Sequence, residues 1–442
     1  MPKQFLTADW WFSVKSDLEV LRSRYALYGP KWFFSRITKR FIYLLAWCAL
    51  LPITFICHLL GYRRVMIYPD RIGHLAVEID GFLKEQALGT PAHARYFILS
   101  IPGRVANPSL LHDYWSKKIT VVRHPALTRL LDIMTSRWLM RHNVNRMVLT
   151  NGGTSKLYKL YTEWNGKPPL IKLDEHHRKR GREALLRLGA PQGSWFACVH
   201  TREPGYSPAD EIHMDFRNGD PINLIPAIQE IIARGGFCVR MGDSRSQPLP
   251  SIKGLIDYPR SAEKSDWMDV FLCAECRFFL GANSGLHFVS NIFGRPVALA
   301  NLAPIGALAP CPGDLSIPKL IRNKTDLKIL SFNEALLSPS ANYQHSTAFK
   351  KDGLELIEND EDDIRDLVTE MLDRLEGRWK DEVGDTERQQ AYADLFKQGH
   401  FSYGASSRIG AFFLRKHCSL LEIDSLIEPD LRKPKAKQVQ NY

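Results

Sequence analysis

Short apolar segments alternate with helical patterns along most of this chain of 442 residues, and this alternation restricts the fold more than any other feature. Apolar segments of four or five residues recur at 96–100, 119–122, 195–199, 237–241, 277–280 and 296–299. Between them lie stretches such as residues 75–87, in which Ala76, Ile79, Phe82 and Leu83 share one helical face. Strands that alternate with helices in this way form mostly parallel sheets with helices on their faces. The sequence therefore predicts an α/β fold.

The α/β region is predicted to divide near residues 165–193. Residues 166–169 read as a turn, and a basic helix predicted at 176–188 ends at Gly189, with Pro191 just beyond it. We expect an N-terminal helical segment at 1–62, α/β domains at 63–190 and 191–345, and a helical extension with a basic tail at 346–442. Two such sheets create a cleft, and ligands of these folds lie outside the carboxyl ends of the strands.

Residues 41–60 contain no charged side chain and are long enough to cross a bilayer, since twenty helical residues span roughly 30 Å. Basic residues flank both ends, while Pro52 and His58 lie within the segment. We therefore expect an in-plane or re-entrant anchor on a membrane surface. A full span and a helix pair packed against the body are the alternatives.

The net charge of +11 comes from the two ends of the chain. Residues 1–64 carry a net charge of +7 and residues 431–442 a net charge of +4, so residues 65–430 are balanced. A dedicated nucleic-acid binder would usually spread basic surface through its folded body, whereas basic ends suit an anionic membrane surface. We expect a membrane partner and no nucleic acid, with two solvated tails as the alternative. Eight cysteines without disulfide or zinc-site spacing predict reduced thiols in the cytoplasm.

Residues 279–287, Phe-Leu-Gly-Ala-Asn-Ser-Gly-Leu-His, form the strongest candidate for a phosphate site. A strand ends here, a turn of small residues follows, and a helix is predicted to begin at Ser284. Free N–H groups and the helix dipole at such a point attract phosphate. Gly285 permits close approach, and the Asn283 and Ser284 side chains can add hydrogen bonds. A plain turn with an Asn/Ser cap is the alternative.

A second candidate segment, residues 199–206, directly follows a predicted buried strand. Arg202 can hold two phosphate oxygens, while His200 and Glu203 could titrate or orient a substrate. A surface salt-bridge cluster is the alternative. The polar loop at 207–220 that follows suits a substrate lid.

A third segment, Arg-Met-Gly-Asp at 240–243, also ends a predicted strand. Arg240 occupies an unusual position for a core residue, which predicts that it meets either a ligand or a buried acid. Gly242 and Asp243 complete this segment.

A fourth segment, Asp-Arg-Ile-Gly-His at 70–74, lies in the first predicted α/β domain, across the expected cleft. Gly73 allows close backbone approach, and His74 and Glu78 are candidate bases. A structural histidine is the alternative.

Several motifs that would indicate other chemistry are absent. The sequence has no GxGxxG, GxxxxGK[ST], HExxH or GxSxG pattern. Its D-x-D pattern, Asp360-Glu-Asp362, lies in an acidic run beyond the α/β region, as expected of a solvated face. We expect no metal and no cofactor, with phosphate charge neutralised by arginine and helix termini.

These residues resemble known sugar-transfer enzymes. Residues 279–301 resemble the donor-phosphate turn of two-domain (GT-B) glycosyltransferases such as the heptosyltransferases, with Asn-Ser-Gly where Asp-x-Gly is usual. His-Thr-Arg-Glu at 200–203 resembles the His-x-Arg motif of α1,6- and protein O-fucosyltransferases, without their second arginine. The full set is similar to an uncharacterised family of bacterial glycosyltransferases through residues 70–74, 200–206, 240–243, 257–258 and 283–285.

The resemblance implies two Rossmann-like domains and a Leloir-type transferase that moves a sugar from a nucleotide-sugar donor to a bacterial surface glycan, glycolipid or protein. Because a body outside the cytosol would lack nucleotide-sugar donors, we expect the protein to work at the cytoplasmic face of the inner membrane. The donor-binding residues would be Gly73, His200, Arg202, Arg240, Gly242, Asp243, Asp257, Asn283, Ser284 and Gly285. The base would be His74, Glu78 or Glu203. A sugar-nucleotide epimerase or hydrolase on the same fold and a non-catalytic nucleotide-sugar-binding scaffold are the alternatives.

Overall fold

The structure is a computed structural model that describes residues 8–89, 94–135, 145–146, 151–204 and 214–422. Its helices are α1 (Ala8–Leu59), α2 (Ile72–Ala87), α3 (Pro125–Met134), α4 (Asn151–Glu163), α5 (Glu175–Arg187), α6 (Ile225–Ala233), α7 (Asp266–Glu275), α8 (His287–Ile292), α9 (Phe332–Leu337), α10 (Ser346–Lys351), α11 (Glu361–Leu375), α12 (Asp385–Asp394) and α13 (Ala411–Lys416). Its strands are β1 (Tyr62–Met66), β2 (Arg95–Leu99), β3 (Thr120–Val122), β4 (Asn145–Arg146), β5 (Phe196–Val199), β6 (Phe237–Arg240), β7 (Leu255–Asp257), β8 (Phe279–Gly281), β9 (Val297–Leu302), β10 (Leu315–Pro318), β11 (Leu320–Asn323), β12 (Leu354–Ile357) and β13 (Arg408–Ile409).

Two compact units are interleaved along the chain. The first comprises Met1–Met66, His93–Pro102 and Val122–Asn145, and the second comprises Ile67–Ala92, Gly103–Val121 and Arg146–Tyr442. The four-part division expected from the sequence stays a prediction. The basic segment at 431–442 and residues 205–213 of the predicted lid lie outside the described residues.

The first unit contains α1, which bends at Gly29, where φ is +73° and Pro30 follows. By length and composition alone, its stretch Phe41–Leu59 could cross a membrane, with a mean hydropathy of 2.0. β1 and β2 pair in parallel at the centre of a four-stranded sheet of order β3-β2-β1-β4. This unit therefore combines a small sheet with a long helix that has an apolar end.

The second unit is built on a seven-stranded sheet of order β13-β10-β9-β8-β5-β6-β7, in which every described pairing is parallel. All residues of β5, β6, β8 and β9 are buried. Near-continuous apolar strands of this kind need helices on both faces of the sheet. The predicted parallel α/β fold is thus confirmed for this part of the chain.

The path of the chain through this sheet reverses once. From β5 it moves outward to β6 and β7, then returns to the other side of β5 and continues through β8, β9 and β10. This is the order of a doubly wound sheet. Its reversal point, between β5 and β8, is where such sheets bind ligands.

The C-terminal region completes this sheet. β13 pairs in parallel with β10 at the sheet edge, α11 packs against α6, and β12 pairs antiparallel with β11. The expected helical extension at 346–442 therefore also contributes two strands. The sequence pattern did not indicate β13, because two residues are too few to show alternation.

Candidate functional site

Two predicted segments meet at the reversal point of the seven-stranded sheet. β5 ends at Val199 and leads into His200, while β8 ends at Gly281 and leads into the turn at 282–286. β5 and β8 are neighbours in the sheet, so both segments lie at one edge. The predicted phosphate turn and the predicted His-x-Arg segment are therefore adjacent in space.

His200 links the ends of three strands by hydrogen bonds. Its Nδ1 lies 3.2 Å from the carbonyl oxygen of Met241, and its Nε2 lies 3.1 Å from Oγ of Ser284. A carbonyl only accepts, so Nδ1 carries the proton and Nε2 accepts from the Ser284 hydroxyl. The backbone N–H of His200 also donates to Leu280 at 2.9 Å. His200 thereby holds Ser284 at the reversal point.

Three cations lie close enough to His200 to act on its titration. Burial lowers the pKa of His200 to about 4, and Arg240, Arg202 and Lys264 act in the same direction, against the hydrogen bond to Met241. The imidazole is therefore neutral near pH 7, and the positive charge at this edge resides on the arginines and the lysine. Lys264 was not among the predicted site residues; its Nζ lies 2.5 and 2.7 Å from the two carboxylate oxygens of Asp269.

The turn after β8 is held in shape by Arg217. Its Nε donates to the carbonyl oxygen of Asn283 at 3.0 Å, and Nη2 donates to the same oxygen. The Asn283 amide donates to the carbonyl of Ala303, and the N–H of Leu286 donates to Oγ of Ser284 at 3.4 Å. The Asn283 and Ser284 side chains, predicted to contact a ligand, thus make bonds within the protein.

The helix after this turn is shorter than predicted. α8 begins at His287, three residues after the expected start at Ser284, and has six residues. Because the macrodipole grows with aligned peptide units, a helix this short contributes little to anion binding. An anion at this edge would therefore depend on a cationic side chain rather than on the helix.

Gly73 and Gly285 bring α2 against this turn. A Cβ built on Gly73 would lie 2.7 Å from Cα of Gly285, and a Cβ on Gly285 would lie 2.8 Å from N of Gly73. Such distances leave no room for any side chain at either position. The close backbone approach predicted for Gly73 is therefore made to Gly285, and it places the first turn of α2 on the turn after β8.

His74 and Glu78 form a hydrogen-bonded pair on α2. Nδ1 of His74 lies 2.7 Å from Oε1 of Glu78, and Oε2 of Glu78 accepts the N–H of Tyr68 at 2.9 Å. The Glu78 side chain is fully buried, whereas 23% of the His74 side chain is exposed. Among the described residues, none hydrogen-bonds to Nε2 of His74. That nitrogen is therefore available to accept a proton from a substrate.

Glu203 and Arg240 form a buried ion pair. Nη2 of Arg240 lies 2.7 Å from Oε1 of Glu203, and the two side chains are 3% and 6% exposed. The other oxygen of Glu203 accepts the N–H of Gln247 at 2.6 Å. Of the two alternatives predicted for Arg240, the structure contains the buried acid. Both Glu203 oxygens are occupied, which favours a positioning role for this residue.

Gly242, Asp243 and Asp257 make local contacts beside this ion pair. Gly242 has φ of +148°, a conformation that side-chain-bearing residues rarely adopt. Burial acts to raise the pKa of Asp243, but hydrogen bonds from Arg245 hold it below its usual value. Asp257 lies 3.0 Å from Arg260 and 3.5 Å from Nη1 of Arg240. The carboxylates of Asp243 and Asp257 are thus both paired with arginines.

No group of three or more His, Cys, Asp or Glu side chains within the described ranges could hold a metal ion. In the D-x-D pattern, Asp360 caps α11 and Asp362 pairs with Arg365. A shallow surface depression of about 640 Å³ runs along α5 and contains none of the candidate residues.

Sequence reasoning missed two functional candidates, Arg217 and Lys264. Arg217 lies in the polar loop at 207–220 that is predicted as a lid. Its positive charge in that loop was a signal that could have identified it as a candidate. Lys264 lies in an irregular segment before α7, where no pattern distinguishes it from other lysines. Its proximity to His200 arises from packing between segments that are far apart in sequence.

No protein-family model matches this sequence, and no curated protein matches it. Its structural neighbours are glycosyltransferases. The glycosyl transferase family 9 protein from Veillonella parvula is 10% identical over 54% of this chain and 79% of its own, with a TM-score of 0.32. The ADP-heptose lps heptosyltransferase II of E. coli is 13% identical over 54% of this chain and 84% of its own, with a TM-score of 0.34.

A third neighbour is the dodecameric iron-containing heptosyltransferase TibC in complex with ADP-D-beta-D-heptose. It is 13% identical over 54% of this chain, with a TM-score of 0.31, and the match covers 57% of TibC.

Proposed function

We propose that this chain is a glycosyltransferase that moves a sugar from a nucleotide-sugar donor to an acceptor hydroxyl, with no metal and no cofactor. The observation that carries the proposal is the backbone contact between Gly73 and Gly285. Through that contact, the His74–Glu78 pair is next to the turn at the reversal point of the sheet. A base beside an anion-binding edge suits a reaction in which a hydroxyl loses a proton and a diphosphate leaves.

The donor diphosphate would lie beyond the carboxyl ends of β5 and β8. Arg202 carries a forked guanidinium that can bind two phosphate oxygens, whereas the charges of Arg240 and Lys264 are balanced by Glu203 and Asp269. Stabilisation of charge on a leaving group is usually the largest electrostatic contribution to catalysis. Neutral His200 would keep Ser284 and the turn in place.

In the proposed reaction, Nε2 of His74 takes the proton of the acceptor hydroxyl. The hydroxyl oxygen forms a bond to the anomeric carbon, the bond from that carbon to the diphosphate oxygen breaks, and the nucleoside diphosphate leaves. Glu78 would stabilise the imidazolium, as a buried carboxylate does beside other catalytic histidines. Glu203 suits this role less well, because Arg240 and Gln247 occupy its oxygens.

We further infer that the acceptor is a bacterial surface glycan, glycolipid or protein, reached at the cytoplasmic face of the inner membrane. The resemblance of the motifs to bacterial glycosyltransferases supports the acceptor class. The apolar stretch Phe41–Leu59, of which 6% is buried, supports membrane association.

The direct test is a thermal-shift screen of the full chain against GDP-, UDP-, CMP-, dTDP- and ADP-sugars with EDTA present. A ligand at about 100 times its dissociation constant should add roughly 2.7 kcal/mol of stability. A shift with one nucleotide class, followed by sugar transfer to a membrane extract, is the expected result. Donor turnover without an acceptor would favour an epimerase or hydrolase, and binding without turnover would favour a scaffold.

The donor site has its own test in Arg202→Ala. Loss of a charged hydrogen bond should weaken binding of the identified donor by about 1.5–3 kcal/mol, measured by calorimetry. Arg365→Ala is the matched control, since the Arg365 side chain is 42% exposed and pairs with Asp362 on α11. Unchanged donor affinity in Arg202→Ala would rule out the phosphate role.

A further inference from the structure

The apolar end of α1 has two different faces. On one face Thr54 is buried, and seven residues at helical spacing are half-buried: Tyr43, Leu44, Ala46, Trp47, Leu50, Cys57 and His58. The opposite face is exposed and includes Phe41, Ile42, Leu45, Leu51, Ile53, Phe55, Ile56 and Leu59. This helix packs on its own unit through one face and exposes the other.

Two polar side chains near the end of this helix, Thr54 and His58, are hydrogen-bonded. Oγ1 of Thr54 donates to the carbonyl of Leu50 at 2.9 Å. Arg63 folds back on the end of the helix, where Nη1 donates to the carbonyl of His58 at 2.9 Å and Nη2 lies 3.1 Å from Nε2 of His58. His58 is therefore paired, and the exposed face stays apolar.

α3 adds a second exposed apolar site to the same unit. It packs against α1, yet Leu127 and Leu130 are 43% and 40% exposed, one helical turn apart. Exposed Arg123 and Arg129 lie beside them in sequence. Helices that lie in the interface of an anionic bilayer typically combine apolar residues such as leucine with basic residues such as arginine.

α3 is also fixed to the small sheet of this unit. Arg64 on β1 donates through Nη1 to Asp132 at 2.8 Å and to Thr135 at 3.0 Å. This ion pair is largely buried in protein, with side-chain exposures of 10% and 23%. If α1 crossed the bilayer, the sheet and this ion pair would be drawn toward the hydrocarbon, where charged groups are costly.

We propose that the first unit lies on an anionic bilayer with α1 in the plane of the interface, and that Leu127 and Leu130 of α3 are a second point of insertion. The proposal rests on the membrane association of residues 41–60 proposed above and assigns its geometry. The exposed face of α1 and the two leucines contact acyl chains. Neighbouring arginines contact lipid phosphates. The N-terminus and the rest of the chain stay on one side.

The first test compares vesicle binding of the full chain and of the double variant Leu127→Asp, Leu130→Asp. Flotation with phosphatidylcholine/phosphatidylglycerol vesicles at 3:1 should show a partition coefficient at least tenfold lower for the variant. Leu186→Asp with Leu337→Asp is the matched control, because these leucines are also exposed but belong to the second unit. Equal melting temperatures without vesicles would show that all three proteins fold alike.

Three outcomes overturn this proposal in different ways. If the parent chain floats and the α3 variant floats equally well, α3 is not an insertion point while the anchor in α1 remains. If no protein floats, membrane association itself fails. If the α3 substitutions convert a dimer to a monomer in sedimentation and leave flotation unchanged, the leucines contact a second copy of this chain.

The second test addresses the in-plane orientation. The full chain, with a different epitope tag at each end, is expressed in a bacterial host, and protease is added to spheroplasts and to inverted vesicles. Both tags should be protected in spheroplasts and cleaved in inverted vesicles. Tags on opposite sides would show that residues 41–60 span the bilayer and would overturn the proposal.

Discussion

At the scale of single residues, the two histidines of the site have opposite characters. Nε2 of His74 is open to a substrate and its Nδ1 faces a buried carboxylate, whereas both ring nitrogens of His200 are bonded to protein. A base must have a free nitrogen, and a positioning residue need not. The sequence could nominate both histidines, but only their hydrogen-bond partners distinguish these roles.

Substitution of the His74–Glu78 pair should lower turnover and leave donor binding intact. His74→Ala should reduce kcat by about 10²- to 10⁴-fold, the usual contribution of a general base. Glu78→Gln should reduce it less, since an amide still fills the space but no longer stabilises the imidazolium. His176→Gln, at an exposed histidine on α5, is the control. Full activity of His74→Ala in a single-turnover assay would exclude this histidine as the base.

His200 should make the fold sensitive to acid. Its pKa is about 4 in the folded protein and about 6.5 when unfolded, so the unfolded chain binds more protons between these values. This contribution to stability is complete above pH 6.5 and is lost as pH falls toward 4. Between pH 7 and pH 5, the free energy of unfolding measured in urea should fall by about 2 kcal/mol more for the parent chain than for His200→Gln. Parallel pH profiles would contradict the assignment of a neutral, buried imidazole.

Some residue contacts were predictable from pattern alone and others were not. Arg240 in a predicted strand had to meet a ligand or an acid, because a charge inside a sheet needs a partner. That the acid would be Glu203, itself proposed as a base, depended on two strand ends meeting at one edge. Lys264 gave no signal, since its place beside His200 is set by packing between distant segments.

At the scale of elements, the contact between α2 and the turn after β8 is the feature on which the site depends. A Cβ on Gly73 would meet Cα of Gly285 at 2.7 Å and its carbonyl oxygen at 3.1 Å. Gly73→Ala should therefore push the first turn of α2 away, at a cost of about 1–3 kcal/mol in stability and a loss of sugar transfer. Gly313→Ala is the control, because nothing lies within 4 Å of a Cβ there. Full transfer activity of Gly73→Ala would show that the contact is dispensable.

The sequence predicted elements better than it predicted their partners. The strands at 195–199, 237–241, 277–280 and 296–299 correspond to β5, β6, β8 and β9, because buried parallel strands are short, uninterrupted apolar runs. The start of α8 is predicted too early: Ser284 accepts the N–H of Leu286, as a capping residue would, but the regular helix begins only at His287. The grouping of α2 with the second unit had no local signal, because it arises from packing of α2 against α8 and α4, which are far from it in sequence.

At the scale of the whole molecule, part of the positive charge lies apart from the apolar surface. Net positive charge is concentrated in residues 1–64, which include the exposed apolar stretch of α1, and in residues 431–442, which do not. Electrostatic attraction acts over a Debye length and depends on salt, whereas insertion of apolar side chains does not. The two contributions to membrane binding can therefore be separated by experiment.

Replacing Arg432, Lys433, Lys435 and Lys437 by Gln should weaken binding to vesicles that contain phosphatidylglycerol and leave binding to neutral vesicles unchanged. Each cation near an anionic surface contributes about 1 kcal/mol, so the partition coefficient should fall at least tenfold at low salt. At 1 M salt the Debye length is about 3 Å, and the difference should disappear. Deletion of 431–442 should behave like the Gln variant if charge, not length, is responsible. Equal partition of the parent and the Gln variant on anionic vesicles would mean that the basic end is only a solvated tail, leaving α1 and α3 to hold the protein on the membrane.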